Sequence, residues 1–395
     1  MVDVKYAVNK HRQELIHLRR HFHMHPEPGY EEHETAGFVA QYLRDLGVEV
    51  AEAVGGVNVV GLLRGSGAGP CIALRADMDA LSITEETGLD FASQNPGVMH
   101  ACGHDGHTAM LLITARILSE TKDQWSGTIK LFFQSAEECA PHGGAKYMIK
   151  AGVLDNPKPA MVFGLHLWPE VPLGQVGLKE GPLMSASDRL RVHVTGKGGH
   201  GAMPHQAVDA VLVASNIVTA LQSVVSRQVD PMDAAVVTIG ELKAGTRYNV
   251  IAQEANLDGT VRTQNEALRD TMPGRISTLV EHTAMAHGAV ASVVYEKGYP
   301  TLHNDPGAVS LARRAVEQTL GESGVLEISR PSMGGEDFAF FTQQIPGAFL
   351  WLGCREAGEA GYPIHNPRYT FDENALPLGV ELLYRLALIA LKELS

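Results

Sequence analysis

Cysteine is scarce: Cys71, Cys102, Cys139 and Cys354 are the four in 395 residues. So few thiols in so long a chain make no disulfide framework. No Cys-x-x-Cys pair occurs, which argues against a thiol-based oxidoreductase. Positive charge is also in deficit, with 32 lysines and arginines against 45 acidic residues, a formal charge of −13. That excludes the basic footprint that non-specific nucleic-acid binding needs, and it disfavours an anionic membrane surface. No run approaches the ~18 apolar residues of a membrane span. The opening MVDVKYAVNKHRQEL mixes charges and has no apolar h-region. No phosphate-loop lysine and no dinucleotide fingerprint appear. Repeats and low-complexity linkers are lacking as well. The expectation is a reduced, cytoplasmic protein with neither a nucleic-acid nor a membrane partner.

Apolar residues make up 45% of the chain and charged residues 19%, ordinary for a globular protein. A single core stops growing near ~250–300 residues, so two domains are expected. Residues 8–22 and 31–46 read as helices, the second stopped at Gly47. VNVVGLLRG and CIALRADMD read as strands around the turn signal GSGAGP. A helix over Thr108–Ser119 follows, then strands GTIKLFFQS, AMVFGLHLW and AFLWLG, and a last helix GVELLYRLALIALKEL. This alternation predicts an α/β domain, a mixed and mostly parallel sheet covered by helices. From about 186 to 299 the pattern changes to four strands and two helices, a small α+β unit compatible with a split βαβ sandwich. It reads as an insertion, giving one domain of residues 1–185 and 300–395 and another of 186–299.

In open α/β sheets ligands bind beyond the carboxyl ends of the strands. There this chain carries Asp77 and Asp79, then Glu137 and Glu138, then His166, and a loop with His365. The densest segment, MHACGHDGHTA, offers His100, Cys102, His104, Asp105 and His107 before a helix. Alternate positions of extended chain share a face, so Cys102 and His104 can approach one ion, and His100 lies on that face too. Thiolate, imidazole and carboxylate are the usual zinc ligands. The blander alternative is a helix N-terminus with polar caps. Adjacent glutamates suit metal hydrolysis: one ligates, and its neighbour takes a proton from water. The apolar strand before them argues that the pair lies inside.

The runs RADMDAL, MHACGHDGHTA, FFQSAEE, GLHLWP, GKGGHGAMPH and IHNP, in this order, resemble the aminoacylase, carboxypeptidase G and hippurate hydrolase superfamily of dinuclear metallopeptidases. The likeness is closest to its amidohydrolase branch, with hippurate and auxin-conjugate hydrolases, and covers nearly the whole chain. It implies two divalent ions held by Cys102, His104, Glu138, His166 and His365, with Cys102 between them. Zinc or manganese comes first, and cobalt and nickel also tolerate such mixed donors. It implies Glu137 as general base and acid. It implies His200 as a histidine that enters a neighbouring subunit's site, in a homodimer or homotetramer whose inserted ferredoxin-like domain is lid and dimerisation element. Asn249 and Arg262 resemble the residues that receive the substrate carboxylate. The implied substrate is an N-acetyl- or N-benzoyl-type amino acid. Ser135 departs from the pattern, where many members have proline.

Several residues carry simpler readings. His21, His23 and His25 sit at a helix end and read as structural. His107 falls in the first turn of a helix and suits packing or capping. Asp79 suits orienting a ligand, Asp77 stays open, and Cys71 and Cys354 read as core thiols. Two alternatives stand beside the amidohydrolase. One is a dipeptidase or carboxypeptidase of the same superfamily, and the other a metal-dependent binding protein without catalysis.

Overall fold

A computed structural model describes residues 3–395. It divides into two units. The larger takes the chain up to Leu183, with His303–Arg330 and Asp337–Ser395. The smaller is Met184–Leu302 with the short return Pro331–Glu336, a segment whose affiliation no local pattern announces.

The larger unit is built on an eight-stranded sheet. In spatial order its strands are Glu49–Glu52, Val59–Arg64, Thr128–Gln134, Cys71–Asp77, Met161–Pro172, Gly347–Arg355, Val176–Leu178 and Val325–Glu327. The central strands, from Thr128–Gln134 to Gly347–Arg355, run parallel, and the flanking pairs are mixed. Every residue of Cys71–Asp77 and Thr128–Gln134 is buried, so both faces of the sheet are covered. Helices His104–Glu120, Pro306–Leu320 and Ala375–Glu393 pack on it and on one another. The first expected helix is two, Val4–Lys10 and Arg12–Met24, broken at His11. Pro306–Leu320 did not figure in the expected elements. Its start signals are nonetheless present, Asp305 capping Ala308 and proline at the first helical position.

The smaller unit is a four-stranded antiparallel sheet in the order Ala235–Ala244, Glu254–Thr263, Ala186–Thr195, Val290–Tyr299, with helices Ala210–Gln228 and Glu266–Ala286. In chain order this is β-α-β-β-α-β, the split βαβ arrangement. Contrary to the expectation that no segment approaches a membrane span, Ala210–Gln228 is long and apolar enough to cross one by composition. Its placement explains the composition. Ala210, Val213, Ala214, Ile217, Leu221 and Val224 are buried in this unit's own core, and Ser215, Thr219, Gln222 and Ser226 face outward.

Candidate metal centre and active site

Four chain segments of the larger unit meet beyond the parallel strands. Helix His104–Glu120 begins directly after Gly103, whose φ of +91° is glycine's territory. This places His104 in the first turn with Cys102 just outside it. Strand Thr128–Gln134 ends in the turn carrying Glu137 and Glu138. His166 lies within Met161–Pro172. The His365 loop is tied back where His365 N donates to Ala101 O at 2.7 Å. His365 and Ala136 both hold positive φ, +65° and +59°. Non-glycine residues rarely do so unless their surroundings over-determine them.

The five expected ligands and Glu137 converge. Donor atoms of Cys102, His104 and His166 all lie within 4.8 Å of one another, as do those of Cys102, Glu138 and His365, and those of His104, Glu137 and Glu138. Cys102 belongs to two of these groups, with its Sγ 3.3 Å from His166 Nε2. His365 Nε2 is 3.0 Å from Glu138 Oε1. The imidazoles are oriented from behind. His166 Nδ1 faces Leu167 O at 2.7 Å, and His104 Nδ1 faces Asp79 O at 2.9 Å. A carbonyl only accepts, so each Nδ1 carries a proton and Nε2 is the atom each ring can offer to an ion once it is deprotonated. His104 Nε2 is buried and has no hydrogen-bond partner.

Charge in the centre is unbalanced in the direction a cation corrects. Burial and the Glu138 and Glu137 charges push the Cys102 thiol well above its usual range. Burial opposes a charge on His104, yet Asp77 and Asp79 push it up to about 10. Burial opposes ionisation of Glu138 too, but His365 and His104 hold its carboxyl below the usual range. A buried thiol, imidazoles and a carboxylate, with His104 Nε2 left without a hydrogen bond, form a donor set that fits divalent ions.

Behind the donors lies a second layer that the expectations cover only in part. Asp79 acts as foreseen: beyond His104, its Oδ2 accepts the Glu138 N–H at 2.8 Å. Asp79→Ala is expected to weaken zinc or manganese binding by about 10–100-fold, the usual cost of losing an orienting partner. Calorimetric titration of the metal-free protein reads this directly, and unchanged affinity would rule Asp79 out as an orienting group. His107 is fully used, Nδ1 on Asp77 Oδ1 at 2.6 Å and Nε2 receiving Leu167 N–H at 2.9 Å, so it packs rather than ligates. His23 is buried between Asp105 and Glu85, a structural role. His100 is buried with neither ring nitrogen bonded and joins none of the donor groups.

Asp77 is resolved by Arg75, a residue the motif reading passed over. The buried guanidinium donates to Asp77 Oδ2 at 2.5 Å, Gln134 Oε1 at 3.1 Å and Asp337 Oδ1 at 2.9 Å. Asp337 in turn takes the N–H groups of Gly144 and Ala145, and its own N–H reaches Glu137 Oε1 at 3.4 Å. A Cβ at Gly144 would sit 1.9 Å from Ser135 O, so only glycine lets this loop close on the glutamate turn. One available signal was Arg75 itself, a charge inside an otherwise apolar buried strand that must have partners.

His200, Asn249 and Arg262 belong to the smaller unit. His200 pairs with Val250 across a two-residue ladder, and Gly201 N donates to Asn249 O at 2.9 Å, so His200 and Asn249 are neighbours. His200 is exposed, and Asn249 Oδ1 is buried without a partner. Arg262 is half-buried, bonded to Thr260 Oγ1 at 3.0 Å. It lies eight residues along Glu254–Thr263 from the end that adjoins the His200 ladder. At ~3.3 Å per residue that is about 26 Å of strand.

The profile of peptidase family M20/M25/M40 matches residues 73–389. An N-acyl-L-amino acid amidohydrolase of Geobacillus stearothermophilus is 45% identical over 306 residues, 77% of this chain and 82% of that protein. Thermostable carboxypeptidase 1 of Saccharolobus solfataricus is 40% identical over 368 residues, 92% of each. Among solved structures, a Bacillus subtilis dinuclear metal-binding peptidase of the M20 family superimposes with a TM-score of 0.83 at 35% identity, covering 97% of this chain and 99% of its own. With its mixed α/β fold and its clustered metal-type donors, the chain belongs to peptidase family M20/M25/M40 and is an amide-hydrolysing enzyme of that family.

Proposed function

We propose that the enzyme hydrolyses the amide bond of N-acyl amino acids, of the N-acetyl or N-benzoyl kind, with Glu137 as proton shuttle. The observation that carries this reading is a buried Glu137 beside a cluster of metal-type donors in which His104 Nε2 is buried without a hydrogen bond. Cys102, His104, Glu138, His166 and His365 would hold two divalent ions, zinc or manganese. Bound there, such ions lower the pKa of a coordinated water from about 15.7 toward 7 and polarise a carbonyl. Glu137 accepts the proton of the attacking water at its carboxylate. It returns that proton to the leaving nitrogen as the C–N bond breaks, giving a carboxylic acid and a free amino acid. Asp337 N–H holds one Glu137 oxygen in place during both transfers.

His200 and Asn249 act from the partner of a homodimer, His200 as a donor to the developing oxyanion. Arg262 receives the substrate carboxylate, and the inserted unit serves as lid and dimerisation element. Four free thiols suit a cytoplasmic setting.

The carboxypeptidase among the relatives keeps peptidase action as a second reading. A panel of N-acetyl- and N-benzoyl-amino acids and free dipeptides, run on metal-loaded enzyme, decides between them. The acyl amino acids are expected to show kcat/KM higher by about tenfold or more, the discrimination one changed group produces. Faster turnover of free dipeptides would give the site to peptidase chemistry. No hydrolysis of any member by fully metal-loaded protein would leave a binding protein.

A further inference from the structure

The turn that presents Glu137 and Glu138 has a backbone bond from Cys139 N to Ala136 O at 3.3 Å, and side chains take three more of its N–H groups. Ser135 N donates to Asn58 Oδ1 at 2.7 Å, Ala136 N to Glu32 Oε1 at 2.7 Å and Glu138 N to Asp79 Oδ2 at 2.8 Å. Ser135 keeps an N–H that a proline would lack, and it is the one Asn58 takes. The middle bond is the unusual one. It ends on Ala136, the residue that adopts a left-handed φ of +59° immediately before Glu137. Glu32 is 0% exposed, and its second oxygen, Oε2, is buried with no partner.

Glu32 occupies the N-cap position of helix His33–Asp45, where an acidic side chain would ordinarily bond the first helical N–H groups. It does not. Glu27 takes the N–H groups of Glu34 and Thr35 instead, at 3.0 and 2.8 Å. The Glu32 carboxyl is thereby released from capping and turned to Ala136. A fully buried carboxyl with one oxygen left without a hydrogen bond is costly to keep, and helix capping does not explain it. We propose that Glu32 is a positioning residue that fixes the Ala136 turn and so aims the Glu137 carboxylate. The inference rests on the reading of Glu137 as the proton shuttle.

Two conservative variants test it. Glu32→Gln keeps an acceptor oxygen at the same reach. Glu32→Asp keeps the charge but withdraws the acceptor by one methylene. With metal-loaded enzyme and the acyl amino acid that wild type turns over best, Glu32→Gln is expected to hold kcat within about threefold. Glu32→Asp should lower kcat by about 10–100-fold, the scale of a misplacement near 1 Å, with KM within about twofold and Tm and metal content unchanged. Wild-type kcat in Glu32→Asp overturns the proposal. So do equal losses in both variants, or losses that track a lowered Tm or missing metal. Glu137→Gln run alongside separates the two ideas. If it stays active, the reading of Glu137 fails. If it is inactive while Glu32→Asp is normal, only the positioning role fails.

Discussion

Glu137→Gln is expected to lose turnover by about 10²–10⁴-fold or more while keeping its metal, because a positioned acid–base group contributes on that scale. The substitution isolates proton transfer. Gln matches Glu in size, and its carbonyl oxygen can still accept the Asp337 N–H that reaches Glu137 Oε1. Glu137 is 7% exposed, so bulk water cannot easily replace it as base. Single-turnover rates with metal analysis on the same sample make the measurement. Turnover within tenfold of wild type, at equal metal content, would remove Glu137 from the mechanism.

Cys102→Ala is expected to have the next largest effect, on metal rather than on chemistry. Cys102 is shared by two donor groups, so its loss opens both at once. Removing an orienting partner alone costs 10–100-fold in affinity, and a shared ligand should cost about 10²-fold or more. The pH dependence has a definite sign. Burial and the Glu138 and Glu137 charges raise the Cys102 pKa in the metal-free protein, so the thiol is protonated at neutral pH. Metal uptake must expel that proton, and binding therefore tightens as pH rises and weakens as it falls. Calorimetry in two buffers of different ionisation enthalpy should count about one proton fewer released by Cys102→Ala than by wild type. Equal affinity and equal proton release would show that Cys102 is not a ligand.

Much of this centre is legible in sequence because each donor adjoins a strong local signal. Cys102 and His104 precede an apolar helix, Glu137 and Glu138 follow the strand that ends in LFFQ, and His166 sits inside another strand. The layer behind them is not legible in that way. Arg75 meets Asp337 across 262 residues of chain, and Glu32 meets Ala136 across 104. Nothing local to either residue names its partner. The edge strands Val176–Leu178 and Val325–Glu327 are three residues each, too short for a period of two to register. Pro306–Leu320 is different in kind, since Asp305 and Pro306 announce its start. In the smaller unit the strands were readable, but which residue of one strand faces which residue of the next depends on register, which periodicity does not encode.

The bond from His365 N–H to Ala101 O also sets an order of events in time. Cys102 and His365 are 263 residues apart in the chain. At ribosomal rates of ~5–20 residues per second, roughly 10–50 s separate the emergence of the thiol from that of its last partner. Helix Ala375–Glu393, which packs against the His104–Glu120 helix, emerges later still. The donor set is therefore incomplete on the nascent chain for most of synthesis, and an ion that meets Cys102 and His104 early finds only part of its cage. The long-range pairing of Gly347–Arg355 with Met161–Pro172, which closes the sheet across the same interval, likewise waits on late-made chain.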